Sequence, residues 1–244
     1  MLPSLLRVAV VMTNHAAYPS RPDTTGLWLT ELTHFYEVFN EAGIDMVFVS
    51  PQGGAVPLDG RSLGRLYTNA SARALLQDPA FMDRLAQTCR ADEVDPEAFD
   101  AIFYTGGHGT MWDFRGQAGL NRLAEGVYRQ GGVVGSVCHG AAGLLDLLGD
   151  DGRPLVAGRQ LTGFSNVEEA LSGVQSQVPY HLQTELQSRG ALYQKGLLPF
   201  MSHVVTDGRL VTGQNPGSSA EVARAVLRAV QHLPARAHRP KGPQ

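Results

Sequence analysis

The stretch Val133-Val-Gly-Ser-Val-Cys-His-Gly-Ala-Ala142 decides the fold. Its first five residues predict a short buried strand, and residues 141–148 predict a helix that follows it. Cys138 would then lie in a sharp strand-to-helix turn, where Gly140 removes a crowding Cβ, as in the Gly-x-Ser-x-Gly elbow of hydrolases. Chemistry in open parallel sheets collects at the carboxyl ends of the strands. We therefore interpret Cys138 as a reactive nucleophile.

Strand and helix patterns alternate along the rest of the chain. Because the strands are apolar along their whole length, both faces of the sheet should be covered, which is typical of an α/β fold with a mostly parallel sheet between helix layers. Residues 60–96 are predicted to be mostly helical and to pack at one edge. We expect a single domain over 1–232 and a disordered tail over 233–244. The predicted strands are 7–12, 45–50, 99–105, 133–137 and 210–212, and the predicted helices are 28–42, 120–130, 141–148 and 221–232.

The composition argues against several classes of protein. The 244 residues carry a formal net charge of −3, and the Lys and Arg residues form no stripe of the kind that binds nucleic acid. No apolar run approaches the ~20 residues that span a bilayer, and the N-terminus lacks the features of a signal peptide. We expect a cytoplasmic protein that binds neither nucleic acid nor membrane.

The cysteines and histidines do not form a metal-binding pattern. Cys89 and Cys138 are the two cysteines of the chain, too few for a Cys-rich zinc site, and a disulfide between them is disfavoured in the cytosol. Cys89 lies in a polar stretch and is interpreted as a nonfunctional thiol. The histidines are spread out without a His-x-x-x-His or His-Glu pair, so no catalytic metal is expected.

Backbone and side-chain groups near Cys138 in the predicted fold have matching chemistry. A helix N-terminus would favour the thiolate and lower its pKa, and the adjacent His139 supplies acid/base capacity. Gly106, Gly107 and His108 follow the third strand, where a Gly-Gly pair lets substrate approach the backbone. The N–H groups of Gly107 and His139 are candidate oxyanion donors. Taken alone, this glycine-rich segment is as compatible with a simple tight turn.

Three glutamates are candidate acids. Glu31 lies beside the apolar face of the first helix, where a carboxylate must be paired or protonated and could share a proton with a thiol. It could equally be an exposed helical residue. Either Glu168 or Glu169 could orient His139 in a Cys-His-acid set. The alternative is that both are solvated, with Asn166 as a helix N-cap and Glu169 completing its capping box.

Several segments together resemble the ThiJ/PfpI superfamily, which is related to the class I glutamine amidotransferases. The resemblance covers roughly residues 5–232 and is strongest to the heat-shock chaperone/glyoxalase III branch. The segments are Gly26-Leu-Trp-Leu-Thr-Glu-Leu32, Ser50-Pro-Gln-Gly-Gly54, Gly106-Gly-His-Gly109, Ser136-Val-Cys-His-Gly-Ala-Ala142, Leu161-Thr-Gly-Phe-Ser-Asn-Val-Glu-Glu169, Val178-Pro-Tyr180 and Asp207-Gly-Arg-Leu-Val-Thr-Gly-Gln-Asn-Pro-Gly-Ser-Ser219.

The resemblance implies a flavodoxin-like three-layer sandwich that forms a homodimer. It implies a cofactor-independent glyoxalase III (D-lactate dehydratase), which converts the small aldehydes methylglyoxal and glyoxal to hydroxy acids through a Cys138 hemithioacetal. Carried over by position, His139 is the base and Glu31 the carboxylate that contacts the thiol. Glu169 is the third member of the set, with Glu168 as a close alternative. Gly106, Gly107 and His108 would form the oxyanion and substrate-binding segment.

Two further functions are compatible with the same residues. An amidase, peptidase or deglycase would use the same nucleophile and oxyanion donors. A stress-responsive protein could instead hold unfolded clients or sense oxidants through Cys138. The metal-binding cluster and linker domain of some bacterial chaperone members are not recognisable in this sequence. Holding also requires an exposed apolar patch, which the sequence does not indicate.

Overall fold

The computed structural model describes residues 6–65 and 67–234, and its centre is a seven-stranded sheet. Neighbouring strands are parallel except for the last pair, β8 and β9, which is antiparallel. A separate parallel pair is formed by β6 (Gln160–Leu161) and β7 (Leu192–Tyr193). The main sheet has the order β3 (Cys89–Arg90), β2 (Asp45–Ser50), β1 (Arg7–Val11), β4 (Ala101–Tyr104), β5 (Val133–Val137), β9 (Leu210–Gly213), β8 (Val204–Asp207).

Helices cover both faces of this sheet. Helices α1 and α8 pack against each other, and α5 packs on β4 and β5. Right-handed crossovers that step in opposite directions from the centre of a sheet place their helices on opposite faces, so three layers result. The helices are α1 (Leu29–Glu41), α2 (Ala70–Leu76), α3 (Pro79–Ala86), α4 (Thr110–Asp113), α5 (Ala118–Arg129), α6 (Asn166–Leu171), α7 (Leu182–Ser188) and α8 (Ser219–Gln231).

Helix α1 is fixed on the sheet by the spacing of its apolar side chains. Leu32, Phe35 and Phe39 recur every three or four residues and are fully buried. The Phe35 ring stacks on Phe39 and on Phe103 of β4, with ring centroids 4.1 and 3.9 Å apart. This packing holds α1 against the centre of the sheet and brings Glu31, one turn before Phe35, into the interior.

The predicted α/β sandwich is confirmed, and the predicted central strands and long helices match the structure to within a few residues. Strands β3 and β8 at the two edges of the sheet were not predicted. The segment predicted as mostly helical contains α2, α3 and a 3₁₀ turn over Gly60–Leu63, but it also supplies the edge strand β3. Edge strands this short carry too little alternation to be recognised in the sequence.

The predicted helix after Cys138 is wrong in type and in position. A 3₁₀ helix over Cys138–Leu144 takes its place, with every residue buried. Its glycines lie directly against β4: a Cβ at Gly140 would lie 2.6 Å from the carbonyl oxygen of Thr105, and one at Gly143 would lie 2.5 Å from the Tyr104 ring. This tight packing favours the narrower 3₁₀ geometry over an α-helix.

Most of the buried apolar side chains form one core cluster that extends from Val8 to Val230. The single domain over 1–232 stays a prediction, and the predicted tail lies, apart from its first two residues, outside the described residues. Within the described ranges, no helix has the length and apolar character needed to cross a membrane. The cytoplasmic location likewise stays a prediction.

Candidate active site

Cys138 occupies a strained turn at the carboxyl end of β5. Its φ is 57°, in the left-handed region, which only one other non-glycine residue of the described chain adopts. Such a conformation costs of order 1–3 kcal/mol for a residue with a Cβ and concentrates at functional sites. The predicted elbow is therefore present, although a 3₁₀ helix follows it, and the thiol is 3% exposed.

His139 connects the thiol to a carboxylate. Its Nδ1 lies 3.3 Å from Cys138 Sγ, and its Nε2 lies 2.8 Å from Glu169 Oε2. The Phe164 ring covers the imidazole at a centroid distance of 4.2 Å. The ring is thus held in one orientation, with one nitrogen facing the thiol and the other facing the carboxylate.

Glu169 binds a second histidine through its other oxygen. His108 Nε2 lies 3.0 Å from Glu169 Oε1, and both residues are almost fully buried. Burial raises the pKa of Glu169, but His139 and His108 outweigh it, and the pKa lies well below its ordinary value. Burial, followed by the neighbouring His139, lowers the pKa of His108 to about 4. Glu169 is therefore an anion and His108 a neutral imidazole at neutral pH.

Arg61, which the sequence analysis did not identify, continues the row of contacting groups that runs from His139 through Glu169 to His108. Its Nη2 lies 3.0 Å from His108 Nδ1 and 2.7 Å from Asp59 Oδ2, and it also hydrogen-bonds the Tyr18 hydroxyl. Asp59 is completely buried. Arg61 lies in the 3₁₀ turn of the segment predicted as a peripheral helical region, and nothing in the local sequence distinguishes it from a surface arginine.

Glu31 lies close to Cys138 next to Gly106. It is fully buried, and neither carboxyl oxygen makes a hydrogen bond of good geometry within the described chain. A Cβ at Gly106 would overlap Glu31 Oε2 and would lie 2.9 Å from Cys138 Cβ, so a glycine is required for the carboxyl to reach the cysteine. Burial raises the pKa of Glu31 to about 8, against smaller opposing effects of Cys138 and the Gly106 backbone.

The thiol differs from the sequence expectation in its ionisation. Burial, together with the charge of Glu31, raises the pKa of Cys138 well above its ordinary value. The predicted lowering of the pKa by a helix N-terminus is wrong, because burial and the neighbouring Glu31 act in the opposite direction. Protonation of Glu31 removes its repulsion of the thiolate and supplies an O–H donor to sulfur. Cys138 and Glu31 therefore titrate as a coupled pair.

Glu168 belongs to a separate network on the other side of α6. Its carboxylate accepts hydrogen bonds from the Ser165 N–H and hydroxyl, the Phe200 N–H and the Asn215 amide, at 2.8–3.0 Å. Ser165 is the N-cap of α6 and Glu168 completes its capping box, so the alternative of Asn166 with Glu169 is wrong by one residue. The geometry brings Glu169, and not Glu168, to His139.

The predicted oxyanion segment lies next to Cys138. Gly107 has φ 99°, and a Cβ there would lie 2.5 Å from the Trp28 nitrogen, so the position needs glycine. Thr110 Oγ1 donates to the carbonyls of Gly107 and His139, at 2.9 Å each, and fixes the two backbone segments together. The Gly107 N–H makes no hydrogen bond to the rest of the described chain. Both nitrogens of His108 are engaged, so its ring has no donor left for a substrate oxygen.

A cavity of about 510 Å³ opens onto this site. Its walls are largely aromatic, and Cys138, His139 and Gly107 lie on its surface together with Arg61. A volume in this range is typical of small-molecule sites. The other lining residues are Trp28, Tyr67, His108, Phe164, Leu171, Ser172, Phe200, Pro216 and Gly217.

One group of residues in the described chain has the composition of a metal site. Ligand atoms of His108, His139 and Glu169 lie within 4.8 Å of one another. These atoms already bind one another, since both Nε2 atoms contact the Glu169 carboxylate. A cation would have to displace these hydrogen bonds close to the charge of Arg61. The sequence-based expectation of no catalytic metal stays a prediction.

The chain and its fold match a known family. A family profile described as the DJ-1/PfpI family matches residues 24–229, and the chain belongs to that family. Glyoxalase 3 of Candida albicans is 30% identical, covering 93% of this chain and 99% of that protein. The glutathione-independent glyoxalase HSP31 of Saccharomyces cerevisiae is 32% identical, covering 95% of this chain and all of that protein.

Solved structures agree with these relatives. The Rapid Encystment Protein of Francisella tularensis superposes with a TM-score of 0.88 at 32% identity, covering 93% of this chain and 99% of that one. The glyoxalase III structure from Candida albicans gives 0.86 at 30% identity, with 92% and 97% coverage. The resemblance to the ThiJ/PfpI superfamily and its glyoxalase III branch is therefore confirmed.

Proposed function

We propose that this protein is a glutathione-independent glyoxalase, which converts methylglyoxal or glyoxal to the corresponding hydroxy acid. One observation carries the proposal: a protonatable carboxyl, Glu31, lies beside a nucleophilic cysteine that has its own base. Relatives at about 30% identity over nearly the whole chain are named glyoxalases, which supports the same reaction.

The first step is addition of Cys138 to the aldehyde. His139 Nδ1, 3.3 Å from Sγ, accepts the thiol proton as sulfur bonds to C1. Because burial raises the pKa of Cys138, the thiol needs this base. Glu169 accepts a hydrogen bond from His139 Nε2, which leaves Nδ1 for the thiol proton, and it stabilises the imidazolium that forms. The oxygen of the hemithioacetal lies against the N–H groups of Gly107 and His139, which act as oxyanion donors.

The second step moves hydrogen from C1 to C2. A base removes the C1 proton to give an enediol, and protonation at C2 gives a thioester of the hydroxy acid. The pKa of Glu31, about 8, lies near neutral pH, so Glu31 can both accept and return a proton. His139 is the alternative carrier. Water then hydrolyses the thioester and restores the thiol. Oxidation at C1 balances reduction at C2, so the reaction requires no cofactor.

The experiment is turnover of methylglyoxal by the purified protein without glutathione, followed by enzymatic measurement of lactate. We expect lactate in proportion to aldehyde consumed, and none above background with Cys138→Ala. Cys89→Ser is the matched control, because Cys89 is exposed and lies outside the cavity. Lactate formation that Cys138→Ala leaves unchanged contradicts the proposal.

Amide hydrolysis and oxidant sensing are less well supported than the glyoxalase reaction. Hydrolysis of an amide needs the nucleophile, the base and the oxyanion donors, but gives no role to a neutral glutamate against sulfur. Oxidant sensing favours an accessible thiolate, whereas Cys138 is 3% exposed and its pKa is raised. Turnover of amides without turnover of aldehydes would reverse this order.

A second candidate function, holding of unfolded proteins, is supported by one surface feature. The apolar segment 197–201 is exposed, with Leu197, Leu198 and Met201 at 102%, 63% and 61%. The homodimer implied by the family resemblance could bury the same segment. Sedimentation of wild type and of Leu197→Ser/Met201→Ser tests the dimer. Suppression of client aggregation that survives Cys138→Ala but is lost in the serine variant supports holding.

A further inference from the structure

Arg61 reaches the site through a histidine and does not itself contact the cysteine or its base. Its Nη2 lies 3.0 Å from His108 Nδ1, and His108 Nε2 lies 3.0 Å from Glu169 Oε1. We propose that Arg61 is a positioning residue of the glyoxalase reaction: it fixes one tautomer of His108, which then holds Glu169 in the orientation that His139 requires. The expected effects on rate rest on the proposed function, whereas the expected tautomer of His108 does not.

The tautomer follows from the donor inventory of the three groups. A guanidinium has N–H donors and no acceptor, so His108 Nδ1 must accept from Arg61. The proton of the neutral ring is therefore on Nε2, and it points to Glu169 Oε1. Since Glu169 is acceptor-only when ionised, His139 must also donate from Nε2. His139 Nδ1 is then left as an acceptor that faces the Cys138 thiol.

Arg61 is itself held firmly. Asp59, completely buried, accepts from the Arg61 side chain at 2.7 Å and 3.0 Å. The Arg61 backbone N–H also donates to the Asp59 carboxylate, at 3.0 Å. The guanidinium lies 5.5 Å from the Tyr18 ring centroid and 6.0 Å from that of Trp28. A charge fixed in this way can impose an orientation on its neighbour, which a solvated surface arginine cannot.

Charged and titratable groups surround His108 on every side. Glu169 faces Nε2, Arg61 faces Nδ1, and the His139 ring lies 4.0 Å away between centroids. The Tyr18 ring is 6.3 Å away, and Asp59 acts through Arg61. Of these, Arg61 and His139 oppose a proton on Nδ1. Without Arg61, no N–H donor keeps His108 Nδ1 unprotonated. His108 can then take up a proton on Nδ1 or change to the Nδ1–H tautomer.

The kinetic test compares two substitutions of His108 that leave Arg61 and Asp59 in place. His108→Gln offers an oxygen to Arg61 and an N–H to Glu169, whereas His108→Leu offers neither. We expect His108→Leu to lower kcat by about tenfold to hundredfold, with KM changed less than about threefold, because misorientation of a base costs rate more than binding. We expect kcat of His108→Gln to stay much closer to the wild-type value than kcat of His108→Leu.

The spectroscopic test concerns Arg61 directly. Arg61→Met alone would leave buried Asp59 uncompensated, so Asp59→Asn/Arg61→Met is the variant and Asp59→Asn is its control. Nitrogen-15 NMR of the histidines should show His108 as the Nε2–H tautomer down to about pH 5 in wild type. In the double variant we expect mixed tautomers and a His108 titration moved to higher pH.

Three results would overturn the proposal. They are an Nδ1–H tautomer in wild type, an unchanged tautomer and titration in the folded double variant, and equal rates for His108→Gln and His108→Leu. Thermal unfolding of each variant establishes that it is folded. The NMR result does not need turnover, so absence of lactate in wild type contradicts the glyoxalase proposal and leaves the tautomer test intact.

Discussion

Two helices next to the cavity, α1 and α6, carry buried carboxyl groups with opposite properties, and we call these two sides of the site the α1 wall and the α6 wall. On the α1 wall, Glu31 has no well-formed hydrogen bond, and burial raises its pKa to about 8. On the α6 wall, Glu169 binds His108 and His139, and its pKa lies far below the ordinary value. Both residues are almost completely inaccessible to solvent. Burial is therefore common to the two walls, and the difference arises from the partners.

This difference divides the proposed chemistry between the two groups. A carboxyl that can gain and lose a proton near neutral pH is suited to proton transfer, whereas a permanently ionised one can only orient and stabilise. Cys138 lies close to Glu31 and is connected to Glu169 through His139. One buried site can in this way contain an acid/base and a fixed anion built from the same residue type.

Substitution of Glu31 tests the α1 wall and should have the largest effect. We expect Glu31→Gln to lower kcat by about 10²–10⁴-fold, the range of general acid–base catalysis, because an amide cannot carry the proton. In wild type kcat should rise with pH up to about 8 as Glu31 ionises, because burial raises the pKa of Glu31 to about 8. Steady-state rates between pH 5.5 and 9 measure both effects. If kcat of Glu31→Gln still rises with pH up to about 8, Glu31 does not carry the proton.

Substitution of Glu169 tests the α6 wall and should have a smaller effect on rate. Glu169→Gln retains one acceptor for two histidine N–H groups, so we expect kcat to fall by about 10²-fold through loss of the His139 orientation. The pH limb assigned to Glu31 should remain. A Glu169→Gln enzyme as active as wild type would show that His139 needs no anchor.

The two substitutions should change stability in opposite directions. Glu31 has its folded pKa above the unfolded value of 4.5, so its ionisation favours the unfolded state increasingly from pH 4.5 to 8. Glu31→Gln should therefore raise the free energy of unfolding by about 1–3 kcal/mol at pH 7 and leave it unchanged below pH 4. Glu169 has a lowered folded pKa, so its contribution is present above the unfolded value and lost as pH falls through the folded one. Glu169→Gln should be destabilised at pH 7.

Urea unfolding of the two variants and wild type at pH 4, 6 and 8 measures these differences. The comparison with wild type at each pH removes contributions from other titrating groups. Destabilisation of Glu31→Gln at pH 6 would mean that Glu31 is already ionised there in the folded protein, and the contrast between the two walls would then be lost.

Substitution of Glu168 should have the smallest effect on kcat, because Glu168 adjoins Glu169 in sequence but binds a different set of donors. Glu168→Gln leaves some of four donors without an acceptor, and we expect a stability loss of about 1–3 kcal/mol. The effect on kcat should stay within about fivefold, well below the loss in Glu169→Gln. A larger rate loss than in Glu169→Gln would reverse the two assignments.

The sequence predicted the fold through its most regular parts. Strands that are apolar throughout and helices with periodic apolar residues have their type determined locally, as for β5 and α1. The edge strands β3 and β8 form through pairing with the strands beside them, and their own sequences carry no clear strand pattern. The 3₁₀ helix after Cys138 results from close packing of its glycines on Tyr104 and Thr105, which the local sequence does not reveal.

The site was predicted in part. Cys138 and His139 were identified from adjacency in a turn. Glu31, Glu168 and Glu169 were candidate acids from their positions, the family resemblance favoured Glu31 and Glu169, and the geometry separates Glu169 from Glu168. Arg61 was missed, since its role depends on meeting His108 from a segment 47 residues away. The ionisation of Cys138 was also mispredicted, because burial and Glu31 act through space.

The sequence by itself determined which segments alternate between strand and helix, where the elbow lies and which residue is the candidate nucleophile. These properties follow from local periodicity and from the conformational demands of a single turn. Only the tertiary structure decided the protonation of Glu31, Glu169 and Cys138 and the row of groups from Arg61 to His139. A pKa and a hydrogen-bond direction depend on the distance to groups remote in the chain, and folding alone sets that distance.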